Sequence, residues 1–173
     1  LIKQKKIHGV ELVNGFEFYP IAFNFCKDYN LTYMGNTDIH GVYNQTYRTD
    51  KQYGPMTIVF AHERSAEGIK EALFANRSVV KFGAMLIGSE NNLKALVKAC
   101  LPYKIRLIKG NEAIMEINNK STLSFYMQLN NKTISILGSS YVEFKIRLDD
   151  KIRFTNTFIT DNCQLEIEIA GLK

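Results

Sequence analysis

The second half of the chain alternates short β-prone runs with turn signals, and this pattern limits the possible folds more than any other feature. Gly, Asn and Asp residues separate the runs at intervals typical of short antiparallel strands in a sandwich. The strand-like runs are Lys104 to Ile108, Ala113 to Ile117, Leu123 to Leu129, Thr133 to Leu137, Tyr141 to Leu148, Ile152 to Phe158 and Leu165 to Ile169. In the last run Leu and Ile alternate with Glu, which indicates a strand with one side in water.

The first half instead alternates strand-like with helix-like segments, the order of an α/β unit. The predicted elements are a strand at Gly9 to Asn14, a helix at Pro20 to Tyr29 and strands at Leu31 to Gly35, Met56 to Phe60 and Val79 to Phe82. Pro20 suits the first turn of a helix, where its missing N–H costs no hydrogen bond. The spacing of Ile21, Phe25 and Cys26 predicts the apolar face of that helix.

Two more helices are each predicted to follow a serine. Ser65 is expected to cap a helix that ends near Asn76, and Ser89 to cap a helix that runs through Cys100. We place the boundary between the two halves near residues 85 to 102. The predicted fold is therefore α/β, with β/α units over residues 1–85 and a helix plus a small antiparallel β-sandwich-like module over residues 86–173.

Composition and charge favour a folded protein without a nucleic-acid partner. Of the 173 residues, 46% are apolar and 23% are charged, as in globular proteins. The net charge is +5, but the basic residues are spread along the chain and only Lys3 to Lys6 forms a compact run. We interpret that run as a solvated terminal segment. No apolar run approaches eighteen residues, so no membrane span is predicted.

The cysteines and the first residue say little about the compartment. Cys26, Cys100 and Cys163 are odd in number and far apart, which favours packed free thiols over disulfides or a thiol metal site. The chain begins with Leu1 rather than with a methionine. The lack of a leader within it therefore leaves the compartment open, periplasmic or secreted locations included.

The sharpest local signal for chemistry is Asn36-Thr37-Asp38-Ile39-His40-Gly41, which follows the predicted strand Leu31 to Gly35. Residues two apart on an extended chain point to the same side, so the Asp38 carboxylate and the His40 imidazole are expected to converge. Oxygen and nitrogen donors of this kind suit Zn, Mn or Fe. The alternative is an Asp-initiated turn beside an exposed histidine.

Several segments together are similar to one enzyme family. They are Gly9 to Gly15, Asn36 to Gly41, Met56 to Ser65 and Glu71 to Ala75. In this order they resemble the later part of PHP (polymerase and histidinol phosphatase) domain phosphoesterases, above all the Sb-PDE-like phosphodiesterases with their β-rich C-terminal extension. The resemblance implies a seven-stranded β/α barrel with up to three divalent ions at its C-terminal mouth, which hydrolyses phosphate esters. It covers residues 9–100 well and the extension more loosely.

The resemblance also implies a ligand set. The last metal motif of the family is an Asp-x-His, which Asp38 and His40 match. Many relatives carry a further metal-binding His where this chain has residues 14–17; Glu17 is the substitute oxygen donor there, unless it is an ordinary solvated carboxylate. The first motif of the family, a His-x-His, has no counterpart. We therefore expect an incomplete piece of the barrel that is inactive alone.

Partners follow from the same reasoning. Arg48, His62 and Arg64 are candidate contacts for a small phosphate ester, because guanidinium groups match phosphate geometry, or else they are ordinary polar loop residues. An incomplete parallel sheet exposes unpaired edges, so we expect either a homodimer or a rearranged compact packing of the first 85 residues against the β module. Two other functions stay open: a non-catalytic interaction or scaffolding fragment, and a small protein that binds nucleic acid or a phosphorylated ligand.

Overall fold

A computed structural model describes residues 1–42 and 54–172. The chain divides into two units: Leu1–Asn92 with Ile159–Asn162, and Leu93–Phe158 with Cys163–Lys173. The class is mixed α/β with more strand than helix, which confirms the predicted class.

The first unit contains a partly parallel sheet and an antiparallel meander. Its elements are β1 (Gly9–Asn14), β2 (Glu17–Phe18), α1 (Pro20–Tyr29), β3 (Thr32–Asn36), β4 (Met56–Val59), α2 (Ala66–Phe74), β5 (Ser78–Phe82), β6 (Met85–Gly88) and the start of α3 (Glu90–Cys100). Strand β1 pairs in parallel with β3 and antiparallel with β2. Strands β4, β5 and β6 pair antiparallel in chain order.

These pairings bear on the predicted barrel. A β/α barrel is built from parallel strands, and β1 with β3 is such a pair. The antiparallel pairings of β4, β5 and β6 are not part of that pattern. The strands of residues 1–42 and 54–92 thus confirm an α/β unit but do not close a barrel.

Helix boundaries agree with the capping residues, whereas the predicted apolar face of α1 is buried only at Cys26 and not at Ile21 or Phe25. The hydroxyl oxygen of Ser65 accepts a hydrogen bond from the backbone N–H of Gly68 (2.9 Å), so α2 begins as predicted. In α1, Ile21 is 87% exposed, while Phe23 and Cys26 are buried. Successive helical residues are about 100° apart, so Ile21 lies almost opposite Phe23.

The second unit is built from two sets of antiparallel strands and most of α3. Its strands are β7 (Tyr103–Lys109), β8 (Glu112–Asn118), β9 (Phe125–Leu129), β10 (Lys132–Ile136), β11 (Tyr141–Arg147), β12 (Lys151–Thr160) and β13 (Cys163–Glu168). One sheet has the order β7-β8-β11; in the other set β9 lies between β10 and β12, and β13 pairs with β12. All seven predicted runs are strands, and their arrangement as a sandwich stays a prediction.

Burial within the second unit follows the sequence pattern. Leu93, Leu96 and Val97 of α3 are buried, as predicted from their helical spacing. Leu165 is buried, while Glu166 and Glu168 are exposed, so β13 has one side in water. No helix in the described part of the chain is long and apolar enough to cross a membrane.

The cysteines are free thiols, but not all of them are packed. Cys26 and Cys100 are buried, and burial raises the pKa of the Cys26 thiol to about 11. Cys163 is exposed, contrary to the prediction, because it opens β13 directly after a turn.

Candidate functional site

The parallel pairing of β1 with β3 brings the segments that follow these strands together at one edge of the sheet. Asn14 is the register partner of Asn36, and the backbone N–H of Gly15 donates to the carbonyl of Asn36 (2.9 Å). The Glu11 carboxylate accepts hydrogen bonds from the side-chain amides of both Asn14 (2.9 Å) and Asn36. Glu11 therefore ties the two strand ends to each other. In the sequence, this role of Glu11 is indicated only by the presence of one carboxylate within an otherwise apolar strand.

Asp38 and His40 lie directly beyond this tie. The Asp38 Oδ1 and His40 Nε2 atoms are 3.3 Å apart, and the two side chains are 57% and 88% exposed, respectively. Asp38 has a φ of 49°, in the left-handed region that Asp tolerates better than most residues. The side chains converge because the backbone turns at Asp38, and not because the chain is extended there as predicted.

A cleft of about 520 Å³ opens beside the pair. Its lining residues are Asn14, Gly15, Phe16, Glu17, Tyr19, Thr37, Asp38, Ile39 and His40. The structure thus brings Glu17 to the same cleft as the predicted ligand pair. The Glu17 carboxylate is engaged, because it accepts a hydrogen bond from the Tyr19 hydroxyl. That bond, with the nearby charges of Glu17 and Asp38, raises the pKa of Tyr19.

The donor atoms fit one divalent ion only in part. A carboxylate oxygen and an imidazole nitrogen are suitable ligands for Mn, Zn or Fe. Tight protein sites use three or four protein ligands. Within residues 1–42 and 54–172, no group of three His, Cys, Asp or Glu side chains is arranged to hold a metal. Asp38 and His40 are therefore two candidate donors, which is fewer than a tight site uses.

The predicted phosphate contacts do not line this cleft where the structure describes them. His62 Nε2 is 3.2 Å from Nη1 of Arg77. The Nε of Arg77 donates to the carbonyl of Phe60 (3.1 Å), and its Nη2 donates to the Glu71 carboxylate. Neither His62 nor Arg64 is among the cleft residues. Arg48 lies outside the described residues. The partnership of Arg77 with His62 had no signal in the sequence, since the two are 15 residues apart.

Comparison with known proteins finds a close structural likeness. The crystal structure of a two-domain protein containing a predicted PHP-like metal-dependent phosphoesterase, from Bacteroides vulgatus ATCC 8482, matches 96% of this chain with a TM-score of 0.87 and 26% sequence identity. The chain spans 53% of the length of that protein. None of the protein-family models matches the sequence, and none of the curated proteins does. The likeness supports a PHP-like family.

Proposed function

We propose that the chain is part of a metal-dependent phosphoesterase in which Asp38 and His40 bind a divalent ion. The observation that carries this proposal is their 3.3 Å approach beside a cleft at the C-terminal end of β3. The similar crystal structure contains a predicted PHP-like metal-dependent phosphoesterase, which supports the same general chemistry. A small phosphate ester is the proposed substrate.

The described residues suit distinct parts of such a reaction. The Asp38 carboxylate supplies an anionic oxygen ligand, and the His40 imidazole supplies a nitrogen ligand. A bound divalent ion would lower the pKa of a coordinated water and stabilise charge on phosphoryl oxygens. Glu17 holds the Tyr19 hydroxyl within the same cleft, where it can meet a substrate oxygen. Arg48, His62 and Arg64 remain proposed phosphate contacts.

The wider context of this proposal is a longer protein. We propose that further ligands come from the rest of a seven-stranded PHP barrel, which would make the site multinuclear. The chain spans only 53% of the similar protein, and two ligands are too few for a tight site. The second unit would then be the β-rich extension of the Sb-PDE-like subgroup, as its seven strands suggest.

Metal titration tests the proposed ligands. We expect Mn²⁺ or Zn²⁺ to bind weakly to the wild-type chain, and a chain with both Asp38→Ala and His40→Ala to bind at least about tenfold more weakly, because both donors are gone. Isothermal titration calorimetry measures both affinities. A matched control with Asp28→Ala and His8→Ala removes the same residue types outside the cleft. Equal affinities of the ligand-deficient and control variants would refute the ligand assignment.

A non-catalytic interaction or scaffolding role is the second candidate. It is favoured by the lack of a third metal ligand in the described part of the chain. Metal binding by the folded chain distinguishes the two. Mn²⁺ or Zn²⁺ binding that is lost with Asp38 and His40 supports the phosphoesterase, whereas a folded chain that binds neither ion favours the interaction role.

We also propose that the chain forms a homodimer. Ile21, Phe25 and Tyr29 recur every four residues along α1 and are 87%, 38% and 50% exposed, so they form an apolar stripe on one face of the helix. Burying such a stripe contributes roughly 25 cal/mol per Å² of apolar surface. Light scattering should give a dimer mass for the wild type and a monomer mass for Ile21→Glu with Phe25→Glu. Lys27→Glu, outside the stripe, should remain dimeric; a monomeric wild type would contradict the proposal.

A further inference from the structure

Strand β7 lies at the edge of a sheet that the proposed phosphoesterase chemistry does not use. In the order β7-β8-β11 it has β8 on one side, and no strand is found on its other side within residues 1–42 and 54–172. The backbone groups along such an edge can pair with another chain. The edge of β7 can therefore receive an extended segment as a fourth strand of this sheet.

The register of the sheet identifies the backbone groups of β7 that face outward. The backbone N–H of Asn118 donates to the carbonyl of Pro102 (3.0 Å), so these two residues form a hydrogen-bonded pair where the pairing begins. Hydrogen-bonded and non-hydrogen-bonded pairs alternate along antiparallel strands. Every second residue from Pro102 therefore bonds β8, whereas Ile105 and Leu107 direct their N–H and C=O groups away from it. A bulge after Leu107 ends the regular edge there.

The two faces of this edge differ in chemistry, because successive side chains of a strand point to opposite sides. Lys104 and Arg106 lie on one face, and both are exposed. Ile105 and Leu107 lie on the other face, and Leu107 is 64% exposed. β7 contains no acidic residue, and the carboxylate of Glu116 on β8, 3.9 Å from the Arg106 guanidinium, offsets only part of the positive charge. A strand paired with β7 would thus meet cations on one face and apolar side chains on the other.

These charges distinguish between two kinds of occupant. In antiparallel pairing with a second copy of β7, Lys104 and Arg106 would face the cations of the copy, and like charges opposite each other are destabilising. A strand that presents carboxylates on that face would form opposite-charge pairs instead. Apolar side chains on its other face would cover Leu107. The edge therefore suits an acidic strand and not a second copy of itself.

We propose that the edge of β7 binds an extended segment of a partner protein in which acidic and apolar residues alternate. Hydrogen bonds to the backbone of Ile105 and Leu107 would hold the segment in place, and Lys104 and Arg106 would select its acidic side chains. The inference does not depend on the proposed metal ligands.

Two short peptides test the proposal, one of three Val-Glu repeats and one of three Val-Lys repeats, both with blocked ends. They share length and alternation and differ in the sign of their charge. An NMR titration of the isotope-labelled chain should show saturable shifts of the amides of residues 103–107 with the acidic peptide. The basic peptide should bind at least about tenfold more weakly, because two exposed ion pairs are replaced by repulsion.

Three variants locate the binding on β7. Lys104→Glu with Arg106→Glu should weaken binding of the acidic peptide by about tenfold. Lys145→Glu with Arg147→Glu is the matched control, since it makes the same charge change on β11 at the opposite edge of the sheet and should bind as the wild type does. Ile105→Pro removes an N–H that β8 does not use and should abolish binding, because proline is tolerated on an edge strand but cannot donate to an added one.

Three outcomes would overturn the proposal. They are an absence of saturable amide shifts in β7 of the wild type, shifts confined to β11, and equal affinity of the wild type and the Lys104→Glu, Arg106→Glu variant for the acidic peptide. All three criteria hold even if Ile105→Pro fails to fold.

Discussion

Replacing Asn119 with alanine is expected to lower the free energy of unfolding by about 2 to 3 kcal/mol, because several part-buried polar groups lose a hydrogen-bond partner at once. Asn119 is 1% exposed. Its side-chain amide donates to the carbonyls of Leu123 (2.7 Å) and Leu137 (2.8 Å). Its side-chain carbonyl accepts from the backbone N–H (3.0 Å) and the hydroxyl (2.8 Å) of Ser121. Alanine would leave the Leu123 carbonyl and the Ser121 N–H without this partner, whereas the Leu137 carbonyl would keep the hydrogen bond that it accepts from the Ser140 hydroxyl (2.6 Å).

The loop that Asn119 holds also joins the end of α3. The backbone N–H of Lys120 donates to the carbonyl of Cys100 (3.1 Å), and that of Asn119 donates to Ser140 (2.8 Å). Loss of the Asn119 side chain should therefore loosen the C-terminal turn of α3. Hydrogen exchange at residues 119–123 and 137–140 would report this loosening directly.

Urea unfolding followed by circular dichroism measures the predicted loss. Asn119→Asp is nearly isosteric but replaces the donating amide with an oxygen that faces two carbonyls, so it should be at least as destabilising as alanine. Asn131→Ala changes an exposed asparagine in the turn between β9 and β10 and should cost less than about 0.5 kcal/mol. A loss below about 1 kcal/mol for Asn119→Ala would mean that water replaces its hydrogen bonds.

Element positions could be predicted wherever local chemistry marks a boundary. Pro20 begins α1, and Asn30, in the left-handed conformation at φ 51°, ends it. Ser65 caps α2 through a local hydrogen bond. Because these signals act between residues close in sequence, one chain is enough to identify them. The short strand β6 was missed, although Gly83, at φ 55°, marks the two-residue turn before it.

Strand partners could not be predicted in the same way. An apolar run predicts a strand but does not specify its neighbour or its direction. The parallel pairing of β1 with β3 was expected from the α/β order, whereas the antiparallel β4-β5-β6 meander depends on contacts between separate elements. The buried face of α1 was mispredicted for a similar reason. Most positions in that helix are apolar, and only packing of Phe23 against Tyr33, with ring centroids 5.4 Å apart, selects one face.

The same holds for the candidate site: features that depend on neighbouring residues could be predicted from the sequence, whereas features that depend on contacts between separate elements could not. The spacing of Asp38 and His40 and the resemblance of their motif predicted the ligand pair. Their actual approach depends on the left-handed φ of Asp38, which the sequence pattern did not show. The bond between Glu17 and Tyr19 and that between Glu11 and Asn36 link residues on different elements or in turns. These bonds decide which carboxylates remain available to a metal.

Gly35 affects both the packing of the first unit and the position of the proposed ligands Asp38 and His40. It lies on β3, three residues before Asp38, and its backbone N–H and carbonyl both bond the Thr57 hydroxyl on β4, at 3.0 and 3.1 Å. A Cβ atom at this position would lie 2.5 Å from Cγ1 of Val80, which is fully buried. Glycine is therefore required for the close approach of β3 to β5.

Gly35→Ala is accordingly expected to destabilise the protein by about 2 to 3 kcal/mol, since Val80 has no room to move and the strands must separate. Moving β3 would also displace Asp38, so Mn²⁺ affinity should fall although both proposed ligands are present. Adding Val80→Ala removes the clashing methyl group. In urea unfolding, the double variant should be more stable than the sum of the single changes predicts, by at least about 1 kcal/mol.

Gly41→Ala is the matched control, because a Cβ atom there meets no atom within 4 Å. It adds the same methyl group next to His40 and should change the free energy of unfolding by less than about 0.5 kcal/mol. If Gly35→Ala were as stable as Gly41→Ala, the strands would have to accept a wider spacing without cost. If instead Gly35→Ala were destabilised and Val80→Ala gave no compensation, the cost would come from the backbone of β3 rather than from its contact with β5.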